Sequence, residues 1–452
     1  MTDDVRKTAL HILNTLEKGH KTLDSVIEDV FRKKNLFSRK DRALLQALVF
    51  GVLRWRGRLD WIIDYFSETR LNRVDPKVLN ILRLGLFQII YLSRIPVSAA
   101  VNTSVEMAKT AAAPWVVRYV NGLLRNAARK YQNVPFPDID KDPVKALATE
   151  KSFPKWLIKR WLDRFGLKET VLLCDAINTI PPITVRCNTL KTSREKLMKA
   201  FKGYAEKIEH TNYAPDGVFF FNPKRSIPKI EAFEDGLFQV QDEAAQLVTL
   251  LLNPQPGETV LDACAGLGGK TGHIAQMMKN RGRLVAMDKD EKKLLRLKSE
   301  MHRLGISIVT TCIHDLNNPL NQDRFGKFDR ILIDAPCSGL GVLRRNPDAK
   351  WSTSKQNLAH YQERQARFLD NLAHLVKPSG VLVYAVCSTE PEENESVINS
   401  FLNKHAKFAI EKSPTGLHFD FYSLVNNNGY VKTFPHLNNM DGFFSVCMKR
   451  KK

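Results

Sequence analysis

The sequence predicts a multidomain protein. An all-α domain comes first, a small α+β domain second, and an α/β domain on a doubly wound parallel sheet last. Three observations carry this. Apolar residues recur at helical spacing through residues 5–130. A strand, a helix and further strands then follow one another through residues 183–240. From Gln241 onward, strand and helix patterns alternate. The expected domains are residues 1–140, 141–240 and 241–452.

The first domain is justified residue by residue. Val5, Ala9, Ile12, Leu13 and Leu16 fall on one helical face, as do Leu23, Val26, Ile27 and Val30. Ser38 followed by Asp41 is a capping-box pattern ahead of a helix through Leu44, Leu48, Val52 and Trp55. Arg54, Arg56 and Arg58 surround Trp55, an arrangement that suits RNA through phosphate contact and stacking, or else a solvated helix face. Pro96 opens another helix with small residues for close packing. Residues 131–143, YQNVPFPDIDKDP, have no periodicity and read as a linker.

In the second domain, residues 153–166 form an amphipathic helix with Trp156 and Trp161 among basic residues. Residues 183–190 alternate as a strand does. Ile183, Val185 and Cys187 face one way; Thr184, Arg186 and Asn188 face the other, towards RNA or simply towards solvent. A helix over 193–201 and strands near 218–221 and 237–240 complete the domain. In the third domain, a helix over 243–252 leads to strands at 259–262, 283–288, 308–312, 330–334 and 381–386.

Composition limits the function classes. No run of about 18 uncharged apolar residues exists, so no membrane-spanning helix is expected. The amino end, MTDDVRKTAL, has acids where a secretory signal needs a basic and then an apolar run, so a cytoplasmic protein is expected. Seven cysteines, with no CxxC pair, argue against a disulfide framework and against a metal site. The net charge of +21 favours a polyanion partner, most often nucleic acid, over a merely soluble basic protein. No heptad repeat appears, and a monomer is expected.

Three stretches carry chemistry. In VLDACAGLGGKTGHIA, residues 260–275, a strand ends at Asp262 and a glycine-rich turn opens a helix. The turn consists of Cys264, Ala265, Gly266, Leu267, Gly268, Gly269 and Lys270. A phosphate-binding loop would need glycine where Cys264 stands, and a dinucleotide GxGxxG would need glycine where Thr271 stands. The remaining cofactor is S-adenosylmethionine, whose turn tolerates looser glycine spacing. Asp288, after the second strand, lies at the distance expected of an acid that holds ribose hydroxyls, or is a loop acid. Asp315 follows the third strand, where an adenine edge would lie, or is likewise a loop acid.

The fourth strand ends in Asp334-Ala335-Pro336-Cys337 ahead of a glycine-containing loop; Arg344, Arg345, Lys350 and Trp351 beyond it could hold RNA. In GVLVYAVCSTEPEEN, residues 380–394, a buried strand ends at Cys387. Open α/β sheets bind ligands at the carboxyl ends of their strands. A lone cysteine there also fits a small buried side chain.

Together, DACAGLGGKT, DAPCSGLG and YAVCSTEPEEN resemble the Sun/Fmu-type RNA 5-methylcytosine methyltransferases. The helical region, through SRKDRALLQALVFGVLR and RLGLFQIIYL, resembles the NusB-type RNA-binding fold. The resemblance covers nearly the whole chain. It implies a NusB-like domain, a ferredoxin-like or RRM-like domain and a Rossmann-like methyltransferase domain. It implies methyl transfer from S-adenosylmethionine to carbon 5 of a cytosine in 16S ribosomal RNA, with an unpaired base as target. Residue by residue, it makes Cys387 the nucleophile, Cys337 the group for product release and Asp334 the residue that activates the base and borders the cofactor. Three positions depart from the family pattern: Gly266 and Leu267 replace Ala and Pro, and Val386 replaces Thr. The rival enzymatic reading is cytosine methylation of the DNA type, with the Pro-Cys cysteine attacking. Two further rivals are another RNA, such as tRNA, as substrate, and a non-catalytic RNA-binding factor.

Overall fold

The computed structural model describes residues 2–19, 21–33, 38–111, 113–413 and 419–452. The chain divides into two compact units, Met1–Thr179 with Leu343–Thr353, and Ile180–Val342 with Ser354–Lys452.

The first unit is built of helices: α1 (Thr2–Leu16), α2 (Leu23–Lys33), α3 (Arg39–Phe66), α4 (Pro76–Tyr91), α5 (Val97–Ala111), α6 (Pro114–Lys130), α7 (Pro143–Glu150) and α8 (Lys155–Asn178). Their starts follow local chemistry. The Ser38 hydroxyl accepts from the Asp41 amide and the Asp41 carboxylate accepts from the Ser38 amide, both at 3.2 Å, which closes the capping box of α3. Asp75 and Asp142 cap α4 and α7, each with proline at the first helical position. Pro143, the last residue of the expected linker, therefore begins a helix. Gly166 (φ +74°) breaks α8 into two segments. The core gathers the predicted apolar faces, among them Ile12, Leu48, Val52, Ile81, Leu84 and Leu124.

Several basic residues read as RNA ligands or as a solvated face are instead internal to this unit. Arg54 is buried and donates to the Arg344 carbonyl at 2.7 Å. Arg56 pairs with Glu17 at 3.1 Å. Arg58 lies over the rings of Phe136 and Trp55, while Trp55 itself stacks on Tyr91. Arg344 and Lys350 are buried, and Trp351 donates its indole N–H to the Leu53 carbonyl at 2.7 Å. Charge predicts exposure only when no internal carbonyls or aromatic faces compete for the cation.

The second unit holds two sheets. The smaller is antiparallel, in the order β2-β3-β1-β4, from β1 (Ile183–Cys187), β2 (Lys207–His210), β3 (Gly217–Phe221) and β4 (Phe238–Val240). Phe201, Phe220 and Phe238 fill one of its faces. The other face, with Thr184 and Arg186, meets neither RNA nor water: both residues are 1% exposed. Asn188 is buried too, donating to the carbonyls of Gly236 and Leu304 at 2.8 and 2.9 Å. The alternation assigned the polar side correctly. What that side met was the polar groups of a neighbouring helix.

The larger sheet comprises β5 (Thr259–Asp262), β6 (Arg283–Asp288), β7 (Val309–Ile313), β8 (Phe328–Asp334), β9 (Val376–Val386), β10 (Phe408–Ile410), β11 (Tyr430–Thr433) and β12 (Phe443–Arg450). Its order is β10-β12-β9-β8-β5-β6-β7, with β11 paired to β12. Strands β5 to β9 form the expected Rossmann-like parallel core. The sheet as a whole is mixed, because β12 enters antiparallel beside β9. The central strands are apolar on both sides: Leu261, Ile331, Ile333 and Tyr384 join one core, and Val260, Leu332, Val383 and Ala385 the other. The strand expected over 381–386 begins earlier, at Val376, with residues 377–380 inside it where the register shifts between Phe328↔Val376 and Arg330↔Val381.

Candidate active site

The parallel pairing of β8 with β9 puts Asp334 opposite Ala385. Both chains leave the sheet at the same edge, three residues on at Cys337 and two on at Cys387. The two sulfur atoms stand 3.1 Å apart. The loop after Cys337 is held close: the Gly341 amide donates to the Cys387 carbonyl at 3.0 Å. A side chain at Gly341 would meet the Gly442 carbonyl oxygen at 1.8 Å, so only glycine fits there.

The cofactor loop leaves β5 at the adjacent strand end. The Asp288 carboxylate, at the end of β6, accepts from the Gly266 amide at 3.0 Å and braces the turn. Gly266 and Gly268 have φ of +55° and +87°. A Cβ added at Gly266 or Gly269 meets nothing within 4 Å, so the backbone here borders open space ahead of the helix Gly269–Met277. That space, a helix amino end and a carboxylate at the end of the next strand suit a nucleoside cofactor. Leu267 is exposed and Cys264 half-buried; burial and the carboxylates of Asp334 and Asp262 push the Cys264 thiol well up. Asp315 accepts from the backbone and side-chain amides of Asn317, which hold its carboxyl below the usual range.

Lys270 does not point along its own loop. Its ammonium pairs with Asp334 at 2.6 Å. Burial alone would lower its pKa, but Asp334 and then the Cys387 sulfur outweigh burial and raise it, so Lys270 stays charged. Cys337 is the opposite case. Its bond to Cys387, its burial and the Glu393 carboxylate push its thiol well up, and it keeps its proton. One sulfur thus lies in the field of a cation and the other is held as a thiol.

Sequence reasoning brought Cys387, Cys337, Asp334 and the cofactor loop to one strand edge. It overlooked the carboxylate of Glu393, which accepts from residues beside both cysteines. It turned Arg186 towards RNA or solvent, whereas Arg186 donates to the Gly269 carbonyl at 2.9 Å. The serine after each cysteine, Ser338 and Ser388, was the available signal for the first. Nothing in the sequence distinguished the second.

This sheet and site define a Rossmann-like methyltransferase. The comparisons agree over the whole length. Residues 249–449 match the model for the 16S rRNA methyltransferase RsmB/F, residues 3–129 the NusB family, and residues 153–225 the RsmF/B-like ferredoxin-like domain. The "Probable ribosomal RNA small subunit methyltransferase B" of Bacillus subtilis (strain 168) is 37% identical, with 99% of each chain covered. That of Synechocystis sp. is 34% identical over 98% of this chain and 99% of its own. The crystal structure of PH0851 superposes with a TM-score of 0.81 at 27% identity, covering 100% of this chain and 99% of that one. The chain belongs to the RsmB/F family of S-adenosylmethionine-dependent 16S rRNA methyltransferases.

Proposed function

We propose that this chain methylates carbon 5 of a cytosine in 16S ribosomal RNA, with Cys387 as the attacking nucleophile. The observation that carries this is the pair of sulfurs at 3.1 Å, at strand ends beside the turn whose Lys270 pairs with Asp334 at 2.6 Å. Carbon 5 of cytosine is a weak nucleophile. A thiolate adding to carbon 6 makes it enamine-like, which is why such chemistry needs a covalent catalyst. Lys270 supplies positive charge where Cys387 must carry negative charge. Asp334, held by Lys270, faces the ring edge and orients the base. In release, water takes the carbon 5 proton, the bond from carbon 6 to the Cys387 sulfur breaks, and the neighbouring Cys337 thiol stabilises the Cys387 thiolate that departs.

When bound, S-adenosylmethionine supplies an electrophilic methyl group. Cys264, Ala265, Gly266, Leu267, Gly268, Gly269 and Lys270 line its turn, Asp288 is placed for ribose hydroxyls, and Asp315 and Asp334 border the base and methionine ends. A single chain contains both cysteines and the loop, which favours a monomer. A ribosomal RNA substrate places the enzyme in the cytoplasm. The target base must leave any stack to reach the sulfur, which favours an unpaired cytosine. Domains 1–140, 141–240 and 241–452 serve RNA binding, RNA binding and catalysis respectively.

The test compares two variants on denaturing gels. Cys387→Ala should lose both methylation and covalent capture of RNA; Cys337→Ala should accumulate the protein–RNA adduct. The reverse pattern would make Cys337 the attacker. Bisulfite sequencing of 16S RNA from a strain lacking the protein identifies the base.

A further inference from the structure

We propose that Glu393 is the positioning residue that sets the spacing of the two cysteines. The inference rests on the reading of Cys337 and Cys387 as the reacting pair. Glu393 is wholly buried. One carboxylate oxygen accepts from the Ser338 amide at 2.8 Å and from the Gln365 side-chain amide at 3.2 Å. The other accepts from the hydroxyls of Ser338 and Ser388, both at 2.5 Å. Ser338 follows Cys337 and Ser388 follows Cys387, so one carboxylate holds the residue after each cysteine. Gln365 also donates to the Pro336 carbonyl at 3.1 Å, which fixes the other side of Cys337. The Glu393 backbone is tied down in turn, its carbonyl accepting from the Tyr384 hydroxyl at 2.7 Å.

The residue type matters. A carboxylate is acceptor-only and can take all four donors at once. A glutamine can keep its oxygen towards the Ser338 and Gln365 amides and turn its NH₂ to the two hydroxyls, which rotate to accept. An aspartate is one methylene shorter and cannot reach both loops. An alanine removes the shared acceptor and leaves the loops with the longer Ser338–Ser388 hydroxyl contact at 3.3 Å and backbone contacts such as Gly341 to Cys387. The carboxylate's charge also favours the thiol form of Cys337. A small displacement of reacting groups costs about 100-fold in rate.

The direct test measures the spacing of the thiols. Phenylarsine oxide bridges two neighbouring thiols: two As–S bonds form, and the arsenic's oxygen leaves as water with both thiol protons. The full-length protein should capture it, with release by a dithiol but not by a monothiol, and both Cys337→Ala and Cys387→Ala should abolish that capture. Glu393→Gln should keep capture and kcat within about 5-fold of the parent, while Glu393→Ala and Glu393→Asp should lose dithiol-dependent capture. They should also lose kcat by about 100-fold with both KM values within about 2-fold. The double variant Ser338→Ala/Ser388→Ala should behave as Glu393→Ala does, and it serves should the glutamate variants not fold. Undiminished capture by folded Glu393→Ala or by the double serine variant overturns the proposal. Persistent methylation by Cys387→Ala would instead overturn the catalytic reading and leave the spacing result standing.

Discussion

Arg186 donates to the carbonyl oxygen of Gly269 at 2.9 Å, so a strand of the small sheet holds the turn that opens the cofactor helix. The same guanidinium bonds the side-chain oxygens of Gln239 at 2.8 Å, Gln276 at 3.3 Å, and Gln241. Its acceptors are neutral, and burial pushes its pKa down to about 9, so it remains a cation near neutrality. Arg186→Met should leave these oxygens buried and unpaired, at about 1–3 kcal/mol for each that finds no substitute. The loosened turn should bind S-adenosylmethionine about 10-fold more weakly, while RNA affinity changes by less than about 2-fold. Calorimetry with each ligand checks this. Weakened RNA binding with unchanged cofactor binding would return Arg186 to the RNA surface.

The contrast between Arg186 and the central strands shows what the sequence could reveal. Residues 259–262 and 283–288 were legible because strands buried on both faces read as apolar runs with turn residues at either end. The meeting of the loops at their carboxyl ends was legible because parallel strands deliver their end residues to one edge. Strands β2, β10, β11 and β12 were not anticipated. Strands β10 and β12 form through antiparallel pairing with distant neighbours, as Phe444 does with Val386, while the four-residue β2 and β11 form by pairing with the next strand along the chain. Glu393 was hidden for a related reason, since its role exists only when loops 50 residues apart meet. Arg54 and Arg186 were misjudged because a charge suggests water until its buried acceptors are known.

Lys270→Met should separate base and nucleophile activation from cofactor binding. The ammonium is charged near neutrality because Asp334 raises its pKa against burial, so its contribution should not titrate in the neutral range. Removing an electrostatic stabiliser of this kind costs about 100-fold in rate. In a Cys337→Ala background, Lys270→Met should slow adduct formation by that factor, and cofactor affinity should change less than about 3-fold. Quenched-flow gels and calorimetry give the two numbers. A large loss of cofactor affinity with a normal adduct rate would place Lys270 on the cofactor.

Asp262 predicts a pH dependence. Complete burial pushes its carboxyl up to about 7 from 3.8, against the 2.7 Å bond from the Thr271 hydroxyl, which lowers it. The folded state therefore holds this proton more tightly than the unfolded state between those two values. Stability contributed by the protonated form is fully present below about pH 4, declines as pH rises, and is gone above about pH 7. Asp262→Asn has no carboxyl to ionise and still accepts from Thr271. Relative to the parent it should become more stable as pH rises from 5 to 8, by on the order of 2 kcal/mol. Thermal melts at both values check the sign; an unchanged difference would mean that Asp262 ionises at its ordinary pKa.

Lys350 distinguishes a structural amine, whose pKa burial and then Arg54 push well down, from an RNA contact. Wholly buried in the helical unit, it donates to the carbonyls of Arg54 and Ser152, each at 3.3 Å, and to the Asn178 side-chain oxygen at 2.8 Å. Its amine also lies 3.6 Å from the centre of the Phe153 ring. Methionine would fill the stem's volume but leave three buried oxygens without that donor, so Lys350→Met should cost about 2–4 kcal/mol. A phosphate contact makes a different prediction. Each one lost reduces the slope of log affinity against log salt by about 0.7–0.9. Below its melting temperature, Lys350→Met should keep the parent's salt slope and RNA affinity while melting earlier. A reduced slope at unchanged stability would show that Lys350 leaves its carbonyl cage to meet the backbone of the RNA.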